Sequence, residues 1–106
     1  MVSLEEFKKL ELKVARIKEV EDHPNADKLY VLTIDLGEST KQIVAGIKLS
    51  YTKEALVNKQ VIVIDNLEPA VLRGVESQGM LLAASDEKGI SVIMPEREVT
   101  PGSAVK

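Results

Sequence analysis

The chain has 106 residues, 44% of them apolar, with a net charge of −3 from 14 basic and 17 acidic side chains. That is enough for one domain with its own core, too few residues for two domains, and too apolar for disorder. The absence of cysteine excludes disulfides, thiol chemistry and Cys-based zinc sites, and it fits a reducing compartment.

Ser3 followed three residues later by Glu6 is a capping-box pattern, and Leu4, Phe7 and Leu10 share one helical face. The spacing predicts a short helix over about residues 4–9. Leu10, Leu12, Val14, Ile17 and Val20 then alternate with Lys and Glu and predict a long first strand. The period slips near Ala15–Arg16, where a bulge or strong bend is expected. The segment from Glu21 to Lys28 is loop chemistry around Pro24 and Asn25. Leu29 to Gly37 reads as a second strand and residues 41–45 as a third, joined as a hairpin. Thr52 is placed to cap a one-turn helix, "KEAL".

"QVIVIDNL" predicts a fourth strand, dense in β-branched residues. "EPAVLRGVESQ", with Pro69 and Gly74, reads as a long ordered loop with room for a short extended piece. "GMLLAAS" predicts a fifth strand anchored in the core. "DEKG" turns, "ISVIMP" is a shorter sixth run, and the tail is irregular with room for one more strand at Ala104–Val105. Five main strands with a helix between the third and fourth is the element order of an all-β, Greek-key OB barrel. A small β-sandwich gives a similar strand count but does not usually place a helix there.

The acidic balance taken alone argues against nucleic acid, although a ligand responds to the local field and a small basic patch suffices. Phe7, Tyr30 and Tyr51 are the only aromatics, too few for a multi-ring base-stacking platform. No apolar run approaches the roughly 18 residues of a membrane span, and the charged start lacks a secretory h-region, so a cytoplasmic protein is expected. His23 is the single histidine and reads as a turn residue. No nucleophile elbow, phosphate loop or metal-ligand set accompanies it, so neither catalysis nor a cofactor is expected.

Four pieces, "VARIKEVEDHPNADKLYVLTIDLG", "QIVAG", "VIDNLEPAVLRGVESQGMLLAAS" and "MPEREVTPGSAV", together resemble the tRNA-binding domain family, over nearly the whole chain. That family includes free-standing tRNA-binding proteins, the C-terminal appendage or β subunit of methionyl-tRNA synthetases, and EMAP-II-like domains. The chain departs from the family pattern at Ala15, where Gly is usual, and at Ala70, where others carry a basic residue. The resemblance implies an OB barrel that recognises tRNA by shape without reading sequence. It also implies a homodimer, partnership with a methionyl-tRNA synthetase catalytic chain, and no catalysis of its own.

It further implies tRNA contacts at Asn25 and Lys28 in the first loop and at Arg73, Ser77 and Met80 around the entry to the fifth strand. Each has a plainer reading. Asn25 is ordinary after proline, and Lys28 serves equally as a solvated strand start. Arg73 has Glu76 as an alternative partner, Ser77 can cap a local turn, and Met80 can fill core. As RNA contacts, an amide and cations bond phosphate and sugar oxygens. A hydroxyl can meet a 2′-OH, and an adaptable thioether packs on a base or ribose. Arg16, Lys18 and Lys41 are weaker candidates for the same face. The alternative is an OB module that binds proteins, of the chaperone-like, peptide-binding kind.

Overall fold

The computed structural model describes residues 1–106. Its organising element is β1 (Leu12–Asp22), which pairs antiparallel on both edges. β2 (Tyr30–Asp35) takes one edge over Arg16 to Asp22, and β3 (Thr40–Ala45) continues the sheet beyond β2. β4 (Gln60–Ile64) takes the other edge over Leu12 to Arg16. The short β7 (Met80–Leu81) pairs with β4, and β10 (Ala104–Val105) pairs with the start of β1. The order β3-β2-β1-β4-β7 curls into a nearly closed OB barrel, with the one-turn helix α2 (Lys53–Leu56) between β3 and β4 as expected. The helix α1 (Leu4–Phe7) carries its capping box intact: Ser3 accepts from the Glu6 N–H, and Glu6 reaches back to the Ser3 N–H.

Burial follows the residue pattern. In β2, Tyr30, Leu32 and Ile34 are buried and alternate with half-buried neighbours, the signature of a strand with one face on the core. All five residues of β4 are buried, so it is covered on both faces. Leu56 of α2 is fully buried and plugs the barrel. Val14 and Ala15 are also both buried. Successive strand residues point to opposite sides, so the slipped period reflects cover on both faces there. The expected bulge lies further on, between Ile17 and Glu19 in the β1–β2 register.

Two further expectations are corrected. The segment after Glu68 is a hairpin, β5 (Ala70–Leu72) with β6 (Val75–Ser77), in register from Ala70–Ser77 to Leu72–Val75. Its two-residue turn has φ of 53° at Arg73 and 89° at Gly74. Two positive φ values are what a type I′ hairpin turn requires. The single buried fifth strand is instead broken at Leu82. The Leu82 N–H donates to the Ile62 carbonyl, while the Leu82 carbonyl accepts from Ile93. The chain thereby leaves β4, and β8 (Ala83–Asp86), exposed throughout, forms a hairpin with β9 (Gly89–Val92), whose Val92 is buried in the core.

β3 and β6 close the barrel with few backbone bonds. The Gln42 N–H donates to Gln78 Oε1 at 2.9 Å, Gln42 Nε2 donates to the Glu76 carbonyl at 2.9 Å, and the Gln78 N–H donates to the Gln42 carbonyl at 2.8 Å. The Val44 N–H donates to Ser77 Oγ at 2.9 Å. Gly79 then brings the backbone against β4: a Cβ there would lie 2.8 Å from the Ile64 carbonyl oxygen. Overpacking of this kind costs about 1–3 kcal/mol, so Gly79→Ala is expected to lower the urea midpoint by a corresponding amount. A midpoint equal to that of the wild type would show that β4 yields at no cost.

Candidate nucleic-acid interface

The loop from His23 to Leu29 and the tip of the β5–β6 hairpin are distant in sequence and bonded in space. His23 is buried between them. The Asn25 N–H donates to His23 Nδ1 at 2.9 Å, and His23 Nε2 lies 2.8 Å from the Leu72 carbonyl. A backbone N–H can only donate, so Nδ1 is the acceptor; Nε2 carries the proton and donates to Leu72. Asn25 Nδ2 donates to the Arg73 carbonyl at 3.3 Å, a second bond across the same junction. A cleft of about 360 Å³ runs between the two loops, lined by Ala26, Asp27, Lys28, Leu29 and Arg73. Asn25, Lys28 and Arg73 are all exposed there. Neither Lys28 nor Arg73 takes part in an ion pair, and the alternative pairing of Arg73 with Glu76 is not realised.

Ser77 and Met80 stand apart from that cleft in kind. The expectation that Ser77 offers RNA a free hydroxyl is corrected. The residue is 5% exposed, its Oγ accepts from Val44, and its proton goes to the Gly79 carbonyl at 3.0 Å. Met80 is 46% exposed and lines an apolar groove with Val44, Ile47, Leu82, Ala83 and Ile90. It is therefore available for contact and is not core filling.

The remaining basic candidates separate by partner. Arg16 is ion-paired to Glu98 and donates to the Asn58 carbonyl. Lys41 lies 2.7 Å from Asp65, which also holds Lys13 at 2.8 Å. Lys18 is exposed and unpaired on β1. Lys48 and Lys53 both pair with Asp22. Of the weaker candidates only Lys18 keeps its charge free for a ligand.

Asp65 sets the electrostatics beside β3. Burial pushes its carboxyl up, but the hydrogen bonds and charges of Lys13 and Lys41 prevail and hold it below the ordinary aspartate value. The same bond and charge raise Lys13. Hydrogen bonds from Lys48 and Lys53 likewise lower exposed Asp22.

The sequence reading missed three residues that build this site: His23 as the bond between loops, and Gln42 and Gln78 as the closure. A histidine placed directly before a Pro-Asn turn was the one available signal. Neither Gln42 in β3 nor Gln78 between β6 and β7 carries one.

The family model described as "Putative tRNA binding domain" matches residues 12–104. The chain belongs to that tRNA-binding domain family. The domain is 54% identical over 105 residues to a methionine–tRNA ligase of Pyrococcus horikoshii and 52% identical to that of Thermococcus onnurineus. Each match covers 99% of the chain and 14% of the relative, so the domain spans about a seventh of the length of these curated relatives. Among solved structures it is similar to a MetRS-related protein from Pyrococcus horikoshii, with TM-score 0.92 and 36% identity over 100% of this chain and 98% of that one. It is also similar to the CsaA chaperone protein from Picrophilus torridus, with TM-score 0.93 and 29% identity over the whole of both chains. No helix is long and apolar enough to cross a membrane.

The depressed Asp65 pKa gives a signed pH dependence. Its contribution is present above the unfolded value of about 3.9 and is lost as pH falls through the lower folded value. Asp65→Asn leaves two lysines without their counter-ion. It is expected to cost about 1–2 kcal/mol at pH 7, allowing for the partial exposure of both lysines. The deficit should shrink as pH drops below about 4. Urea unfolding at pH 7 and pH 3 reads both; an equal deficit at the two values would exclude the ion pairs as its source.

Proposed function

We propose that this domain binds folded tRNA by shape, without reading base sequence, and assists a methionyl-tRNA synthetase in the cytoplasm as its C-terminal module or β subunit, in homodimeric form. Family membership supports tRNA as the ligand class. The observation that carries the site is the bonded junction of two loops, which presents Asn25, Lys28 and Arg73 beside one another with neither cation in an ion pair, although Asp27 lines the same cleft. These three residues bond phosphate and sugar oxygens, contacts that position the ligand without selecting bases. Met80 packs its thioether on a ribose or base at the neighbouring groove. Ser77 serves the site from inside, by fixing the strand from which Met80 projects.

A second reading has its own observation. The groove at Met80 is apolar along nearly its whole length, and two chaperone-named CsaA proteins share the fold at 26% and 29% identity. An extended apolar peptide would suit that groove. The tRNA reading is preferred because an apolar peptide gives the cations of the bonded loops no counter-charge.

Titration with folded tRNA against unstructured RNA of equal length decides between the readings. The folded RNA is expected to bind better, with a shallow salt dependence, and equal competition by the unstructured RNA would end the shape-recognition proposal. Lys28→Ala and Arg73→Ala should each lower the log–log salt slope by about one unit or slightly less, as the loss of one phosphate contact does. Met80→Ala should weaken folded-tRNA binding about 5- to 10-fold, in line with about 1–1.4 kcal/mol for one packed contact. Its thermal midpoint should stay within a few degrees of the wild type. A large stability loss with unchanged affinity would return Met80 to a packing role. Retention of an unfolded polypeptide by the wild type, with no tRNA binding, would favour the peptide reading.

A further inference from the structure

The ring of His23 has a donor on one side and an acceptor on the other, each used by a different loop of the site. Nδ1 takes the Asn25 N–H from its own loop, and Nε2–H reaches the Leu72 carbonyl on the hairpin, one residue before Arg73. Of the two ring bonds, that to Leu72 spans the loops, and that to Asn25 orients the ring with its proton on Nε2. At 5% exposure, the ring has little water to replace either.

The charged groups on the surrounding elements are Asp22 at the end of β1, Asp27 and Lys28 in the loop, Arg73 at the hairpin tip and Glu76 on β6. Neither ring nitrogen bonds any of them, and Asp22 is held by Lys48 and Lys53. Both ring nitrogens are committed to backbone groups.

We infer that His23 is a positioning residue for RNA: its ring clasps the Asn25–Lys28 loop to the Arg73 hairpin. The inference rests on the tRNA reading of those three residues. It assigns His23 no contact with RNA. Loss of the clasp leaves the cations in place but only the Asn25–Arg73 bond across the junction, so the RNA must order the loops on binding.

The test compares folded-tRNA affinity at pH 8 for the wild type, His23→Asn and His23→Gln, with circular dichroism confirming the fold of each. Gln keeps a donor near Nε2 and with it the bond that spans the loops, whereas Asn keeps only an acceptor near Nδ1. His23→Asn is expected to bind about 5-fold more weakly than the wild type, the worth of one hydrogen bond, and His23→Gln to recover most of that loss. A folded His23→Asn equal to the wild type, or a His23→Gln no better than His23→Asn, overturns the clasp. A second measurement needs no variant: long-range ¹⁵N correlation of the ring at pH 8 should show the Nε2–H tautomer, and the Nδ1–H tautomer overturns the clasp. If the wild type fails to hold folded tRNA, the tRNA reading falls and takes the positioning role with it. If it binds and the variants bind equally well, the positioning role falls alone.

Discussion

The barrel depends on how β3 meets the chain that returns from the β5–β6 hairpin. A continuous backbone ladder is absent at this seam. Gln42 and Gln78 exchange bonds through their side-chain amides and backbone, and Ser77 satisfies Val44 with a hydroxyl. An apolar groove lined by Val44, Ile47 and Met80 opens beside this seam. Side-chain closure also caps the free edge of β3, which would otherwise present unpaired N–H groups for association. A single short segment thus completes the core and shapes the surface beside it.

The ionic arrangement explains how an acidic protein keeps usable cations. Lys13, Arg16, Lys41, Lys48 and Lys53 are drawn into ion pairs with three carboxylates, Asp22, Asp65 and Glu98. These pairs do structural service: Asp65 ties β1 to β3 at the end of β4, and Arg16 anchors the C-terminal segment. Lys28 and Arg73 lie outside this network. Overall charge therefore says little about the field at their cleft, which is set by the groups nearest to it.

Much of this architecture was legible in the sequence, where local chemistry is unambiguous. The Ser3–Glu6 box, the Thr52 cap, the alternation of β2 and the β-branched run of β4 each specify their element through nearest neighbours. The β5–β6 hairpin was not legible, because its turn has Arg at the first left-handed position where Asn, Asp or Gly is the usual signal. The break at Leu82 was hidden for another reason. "MLLAA" is uniformly apolar, and only its long-range bonds to Ile62 and Ile93 divide it. Of the candidate site, Asn25, Lys28 and Arg73 share a junction; the bond of Ser77 to Gly79 matches its turn-capping reading, while its bond from the distant Val44 was not legible.

Arg73 also has a backbone consequence. A side-chain-bearing residue with φ of 53° pays roughly 1–2 kcal/mol against a right-handed geometry, a strain that Asn or Gly relieves. The hairpin therefore holds its guanidinium at the position where a turn optimised for rigidity alone would have none. Thermal robustness and ligand capture make opposite demands on that single residue, and any selection of this domain for heat resistance alone would tend to remove the cation first.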